Sequence, residues 1–299
     1  MVKSIFNKFC EVNSVVGYID VGGGMRAVYG AGVLDFCLDE GIEFPYYIGV
    51  SAGSANIISH LGGHRDRTLR FYRDYSCRPE YMSLKNWVKN KKYLDLDYIY
   101  TTLTQEGGED PLNFEVMRSH NCDFYIVTTD APTGKPEYLD YRNIEKNDYY
   151  ELKASSCIPV VCPVVEKDGR EYYDGGLSDP IPVRKAFQDG CDKVVITLTL
   201  PKDYHKPHKA PETLYKAVLK KYPESAHLMY SMIDKYNADL DYINKLEKEG
   251  KVLILSPDDC CGVTTLKHER HGVEALYHKG YEDAGKIKSF LSADTEATP

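Results

Sequence analysis

The sequence predicts an α/β protein whose mostly parallel central sheet is covered by helices. Three observations lead there. Residues 15–21 form an apolar run of strand length that passes into Gly22-Gly23-Gly24, and a helical pattern follows from about 27 to 40. Residues 46–50 form a second short apolar run, which passes at Ser51 straight into a helical pattern of small residues. Further runs at 122–129, 191–200 and 252–255 each have strand length and the composition of strands buried on both faces. Strand, turn, helix, repeated, is how parallel strands are joined.

Taken in order, the first helix stops before Gly41, at a position where a left-handed cap residue is common. Val50 gives the second strand a β-branched end. Residues 64–93 change character: nine Arg and Lys stand against three acidic residues, with Phe71, Tyr72, Tyr75, Tyr81, Trp87 and Tyr93 interleaved. That mixture suits peripheral contact with anionic lipid headgroups, and equally a solvated basic face over the edge of a core. Residues 105–111 are a loop, 132–136 a Pro/Gly turn before a short strand near Tyr138, and 147–156 a helix ended before Pro159. Residues 170–174 form a strand that ends in Asp174-Gly175-Gly176, a pattern that also makes a simple Asx turn. Met229, Met232, Ile233, Tyr236, Leu240, Ile243 and Leu246 recur at helical spacing as a core-facing stripe. Residues 264–291 are expected to be largely helical, and 293–299 a frayed tail.

Composition narrows the function. A net charge of −8 argues against a general nucleic-acid binder. The nine cysteines are scattered, with no C-x-x-C pair, which fits a reduced, cytoplasmic setting. No stretch approaches the length of a membrane span, and residues 1–11 lack the apolar core of a secretory leader. No metal or other cofactor is expected.

Gly49-x-Ser51-x-Gly53 lies between a strand and a helix, where a serine on a strained turn can present Oγ outward if its neighbours lack bulk. The helix behind it aims free N–H groups at whatever sits on Ser51. Gly22-Gly23-Gly24 has two functional readings. As a nest of backbone donors it would let a substrate oxygen approach closely. As Gly22-x-Gly24-x-x-Ala27 it is a relaxed dinucleotide fingerprint, with Asp39, Glu40 or Glu43 near the ribose-reading distance. Asp174 needs a desolvated setting to act as a base, and Tyr172, Tyr173 and Leu177 could supply part of one.

Together and in this order, Gly22-Gly23-Gly24-Met25-Arg26, Gly49-x-Ser51-x-Gly53 and Asp174-Gly175-Gly176 resemble the patatin-like phospholipase family; Ala154-Ser155-Ser156-Cys157-Ile158-Pro159 also looks like that family's helix ending in Pro. The resemblance covers roughly residues 15–200. It implies a three-layer α/β/α sandwich and a serine acyl hydrolase acting on lipid esters through a Ser-Asp dyad. Ser51 would be the nucleophile, Asp174 the base, and Gly22, Gly23, Gly24, Arg26 and the Ala52 N–H the oxyanion site. Ala27 stands where the family usually has glycine, and its methyl group could narrow the approach to the oxyanion. Residues 1–200 are expected to form the catalytic core, and 201–299 a mainly helical extension packed on it. Two alternatives stay open: a Ser-His-Asp hydrolase, for which His268 or His271 follows Asp174 in suitable order, and a non-catalytic nucleotide- or lipid-binding regulator on the same scaffold.

Overall fold

A computed structural model describes residues 14–292 apart from 91 and 268. The readings for 1–11, His268 and 293–299 lie outside the described residues. The strands are β1 (Val16–Asp20), β2 (Tyr46–Val50), β3 (Asp123–Asp130), β4 (Pro136–Asp140), β5 (Val165–Lys167), β6 (Arg170–Asp174), β7 (Lys193–Thr197) and β8 (Val252–Leu255). They form one sheet in the order β5-β6-β3-β2-β1-β7-β8, with β4 also paired to β3. From β3 through β8 along this order every pairing is parallel, while the β3–β4, β3–β6 and β5–β6 pairings are antiparallel. The sheet is therefore mixed at one edge.

The pleat sends alternate residues to two separate cores. Tyr18, Tyr47, Phe124, Ile126 and Val195 join one cluster, which includes Val28, Val33 and Leu34 of α1 (Val28–Glu40) and Ile57, Ile58 and Leu61 of α2 (Ala52–Leu61). Ile19, Ile48, Val50, Val127, Val194 and Ile196 join the other, beneath Tyr236, Leu240, Ile243 and Leu246 of α3 (Pro223–Lys248). Helices thus cover both faces, a three-layer α/β/α sandwich. The helix stripe read from sequence is core, although Met229 and Met232 pack against the first cluster and not the second.

Residues beyond 200 enter both the sheet and a helical layer. β8 extends the parallel ladder from β7, and α4 (Arg270–Asp283) lies along α1. That packing is close because two glycines face the neighbouring backbone. A Cβ on Gly32 would overlap the Tyr277 carbonyl oxygen, and one on Gly280 would overlap that of Tyr29. Tyr29 Oη donates to Asp283 at 2.8 Å and Tyr277 Oη to buried Asp35 at 2.8 Å, closing the seam at both ends. Gly280→Leu should force the helices apart and destabilise the protein by about 1–3 kcal/mol, seen as a lowered urea midpoint at unchanged slope; an unaltered midpoint would show that the seam has slack.

Candidate active site

The site begins with an arrangement on one edge of β3. β4 occupies one edge of β3 as far as Thr129, so β6, which pairs with Thr128–Asp130, must lie on the other edge beside β2. β2 uses that edge up to the Val50–Val127 pair, and β6 arrives from the opposite direction to end at the Asp174–Thr128 pair. The two strands meet end to end. The residue after β2 is Ser51, and the last residue of β6 is Asp174.

Ser51 sits at φ 56°, ψ −129°, a strained conformation for a residue with a side chain. Its surroundings enforce it. Ser51 N–H donates to Ser155 Oγ at 2.8 Å, and Ser155 Oγ donates onward to the Val127 carbonyl at 2.7 Å. A Cβ on Gly49 would overlap Ser54, and one on Gly53 would overlap the Asp20 carbonyl. These glycines let the elbow sit against β1 and its own helix. Ser155 lies in the Ala/Ser-rich segment noted from sequence, but its grip on the Ser51 backbone has no signal there.

The glycine segment lies against this elbow. Gly22, Gly23 and Gly24 all have positive φ (65°, 128° and 63°), and a Cβ on Gly22 would overlap the Val50 carbonyl. Gly22 N–H donates to Asp20 Oδ1 at 3.0 Å, and Thr199 Oγ1 donates to the Gly22 carbonyl at 2.6 Å. Gly22 therefore shapes the segment, its own N–H being engaged by Asp20. The N–H groups of Gly23, Gly24 and Ala52 donate to no other described group, Ala52 being the first residue of α2. Buried Asp20 also accepts from Asn56 Nδ2 at 2.9 Å, and Asn56 donates to the Ala27 carbonyl at 2.8 Å. Ala27 itself is fully buried in the core and does not line the cavity, so its methyl group does not narrow the approach. Arg26 donates to Thr265 Oγ1 at 3.1 Å, while its buried Nε has no hydrogen-bond partner.

Asp174 is 7% exposed and Ser51 9%. Burial pushes the Asp174 carboxyl up to about 6, against the opposing pull of the neighbouring Ser51 hydroxyl, the Gly176 N–H and the Lys206 charge. The Gly176 bond, at 2.8 Å, is the Asx turn foreseen as the plain reading of Asp-Gly-Gly. A Cβ on Gly175 would overlap the Val127 carbonyl. The backbone of Asp174 is pinned as well, its N–H to the Cys157 carbonyl at 2.9 Å and its carbonyl to Thr129 Oγ1 at 2.8 Å.

Ser51 opens into a cavity of about 70 Å³. Phe71, Tyr72, Tyr75 and Tyr81 line it, with Leu94, Leu96, Ile99, Tyr100 and Leu103 beyond. Most aromatic residues of the basic stretch thus turn inward. Its arginines are paired: Arg65 with Asp35 and Asp39, Arg70 with Asp110, Arg73 with Asp74 and Arg78 with Glu109. No described histidine lines the cavity. His271 is exposed on α4, and buried His60 is held by Tyr47 and the Leu34 carbonyl. Asp39, weighed as a ribose ligand, lies on α1 and is engaged by Arg65 and Tyr281, while β2 leads to Ser51.

The raised Asp174 pKa carries a stability sign. In the folded chain the group holds its proton up to about pH 6, and unfolded it releases it near 3.8. Its ionised form therefore destabilises the fold fully above pH 6 and not at all below about 3.8. Asp174→Asn should raise the urea-unfolding free energy by up to about 2–3 kcal/mol at pH 7.5, and the gain should vanish at pH 4. A loss of stability at pH 7.5 would contradict this.

Comparison with known proteins adds the family. A model described as patatin-like phospholipase matches residues 21–187, more than half of the chain. A second, a domain of unknown function (DUF6363), matches residues 222–291. An uncharacterized protein from Escherichia coli (strain K12), YjjU, is 28% identical over 192 residues, or 62% of this chain and 52% of that one. The match thus spans about half the length of that relative. The crystal structure of VipD from Legionella pneumophila aligns over 94% of this chain and 67% of its own, at 13% identity and a TM-score of 0.47. On the extent of the first of these matches, from the end of β1 through the helix that follows Asp174, the chain belongs to the patatin-like phospholipase family.

Proposed function

We propose that the chain is a serine acyl hydrolase that cleaves lipid acyl esters through Ser51 and Asp174. The observation that carries this reading is the end-to-end meeting of β2 and β6 on one edge of β3, which brings the end carrying Ser51 against the end carrying buried Asp174, with Ser51 lining an apolar cavity that no described histidine lines. Ser51 Oγ attacks the acyl carbonyl and its proton passes to Asp174. The carbonyl electrons move onto oxygen, where the Gly23, Gly24 and Ala52 N–H groups and Arg26 stabilise the charge. Collapse of that adduct breaks the ester bond, and the departing alkoxide takes the proton from Asp174. Water then attacks the acyl-serine, yields its proton to Asp174 and releases the acid, and Ser51 recovers its proton. An aspartate of ordinary pKa is a weak base for serine; one raised to about 6 by burial is better matched. The apolar cavity suits an acyl chain.

The same proposal includes a reduced, cytoplasmic setting, which suits the buried thiols of Cys37, Cys157, Cys162 and Cys191. No described helix is long and apolar enough to cross a membrane. Peripheral contact is proposed through the helix Leu84–Asn90, where Leu84, Trp87 and Val88 are 74%, 37% and 75% exposed. They share one face at i, i+3 and i+4, near the Tyr81 and Leu94 end of the cavity lining.

A fluorophosphonate probe should label the wild type and fail on Ser51→Ala; equal labelling of both would refute the nucleophile. The rate kcat/KM should rise with pH through about 6 as Asp174 ionises, then level off. Asp174→Asn should lose at least about 10²-fold in kcat while staying folded. Co-sedimentation with anionic vesicles should weaken above ~0.1 M salt and fall in Trp87→Ser; binding indifferent to both would remove the surface contact.

A further inference from the structure

The cavity that Ser51 opens into has apolar walls and a charged far end. Ala52, Ala55 and Ile58 of α2 line it at helical spacing, so it follows that helix away from Ser51. Ser59 stands eight residues along from Ser51, a rise of about 12 Å. There it meets Arg67, whose Nη1 donates to Ser59 Oγ at 2.8 Å. Arg67, Thr104 and Asp110 all line the same cavity as Ser51.

Two corners of the Arg67 guanidinium are occupied. Besides the bond to Ser59, Nη2 donates to Thr104 Oγ1 at 3.0 Å and to the Asp110 carbonyl at 2.9 Å. These bonds tie the 104–110 loop to α2 and leave Nε over. That nitrogen is buried and has no hydrogen-bond partner among the described residues. Asp110 Oδ1 lies 3.7 Å from it, within ion-pair range but too far for a hydrogen bond. The Asp110 carboxylate is instead engaged by Arg70, from Nε to Oδ2 at 3.1 Å and from Nη2 to Oδ1 at 3.0 Å. A buried N–H without an acceptor is costly, and a cavity for plain hydrocarbon gains nothing by ending in an arginine and an aspartate.

One hydroxyl closes this gap. It accepts from Arg67 Nε and donates to Asp110 Oδ1, so both groups are satisfied at once. A carboxylate in the same place would accept from Arg67 but set its charge against that of Asp110. A methyl group would leave the N–H without a partner. We infer that the far end of the cavity, between Arg67 and Asp110, is a subsite for a hydroxyl carried near the distal end of the substrate's acyl chain. This rests on the hydrolase reading and deepens it by naming the class of acyl group.

The experiment measures binding without turnover, so it stands apart from the fluorophosphonate test. Decanoate, ω-hydroxydecanoate and decanedioate are titrated calorimetrically into wild type and Arg67→Lys, each first checked for a native thermal transition. ω-Hydroxydecanoate should bind wild type at least about tenfold more tightly than decanoate. Arg67→Lys keeps the charge without the Nε donor, and the ratio should fall to within about threefold. A chain-length comparison needs no variant: in wild type an ω-hydroxyl should weaken hexanoate binding by about threefold or more, because there it falls among the apolar walls. Decanoate binding as tightly as ω-hydroxydecanoate overturns the subsite, and so does a hydroxyl that helps hexanoate as much as decanoate. Decanedioate binding more tightly than ω-hydroxydecanoate overturns the assignment to a hydroxyl, and a ratio unmoved in folded Arg67→Lys overturns the part given to Arg67. A hydroxyl preference in a chain that hydrolyses no ester would defeat the hydrolase and leave the subsite standing; hydrolysis of decanoyl esters with no such preference would do the reverse.

Discussion

Two strands sharing one edge of a third, head to head, is the constraint on which the site depends. β3 is long enough to pair with β2 along its first half and with β6 beyond it. Backbone hydrogen bonding alone then brings the end of β2 against the end of β6, although Asp174 lies 123 positions after Ser51 in the sequence. No flexible loop has to hold the serine and the carboxyl together. Rigid placement of this kind lowers the entropy that a reacting pair must otherwise surrender. The neighbouring bonds, from the Ser51 N–H to Ser155 Oγ and from Thr129 Oγ1 to the Asp174 carbonyl, hold each residue on its own strand end.

Several carboxyls are buried in the described interior. Asp20, Asp35 and Asp174 are each pushed up to about 6, and Glu151 to about 7, in every case chiefly by burial. Asp20 is compensated by Asn56 and Gly22, and Asp35 by Tyr277, Arg65 and Asp66. These bonds tie β1 to α2 and α1 to α4, so the polar interior also fixes how the layers register. Burial raises the proton affinity of all four; donors offset part of the cost of ionising Asp20, Asp35 and Asp174, whereas both buried Glu151 oxygens lack a hydrogen-bond partner. The glycine segment benefits directly, because Asp20 holds its first N–H and Thr199 its first carbonyl.

Much of this was legible from residues alone, for identifiable reasons. The buried parallel strands announce themselves as short apolar runs, and Gly41 caps α1 in a left-handed conformation as its position suggests. Asp174 stands out because it ends a strand before two glycines, and Ser51 because it follows a strand with a glycine two positions to either side. β5 was missed, although Asp168-Gly169 is a strong hairpin signal and both residues have positive φ, because three residues are too few to show alternation. The basic-aromatic stretch was ambiguous for a different reason. Composition gives no direction to a side chain, and the partners Asp35, Asp110 and Glu109 come from other parts of the chain. Lys206 reads from sequence as one lysine among several in a polar segment; its backbone is held by Asn237 of α3, a long-range pairing that no local pattern encodes.

The close approaches of Gly32 to the Tyr277 backbone and of Gly280 to the Tyr29 backbone have an evolutionary corollary. Where two backbones touch with no side chain between them, neither partner can accept a larger residue unless the other retreats, and neither has anywhere to go. The carboxy-terminal hundred or so positions are therefore not an interchangeable attachment. A related chain with bulk at either glycine would need a differently spaced helix pair, and a graft between such relatives would jam at that one crossing while matching everywhere else.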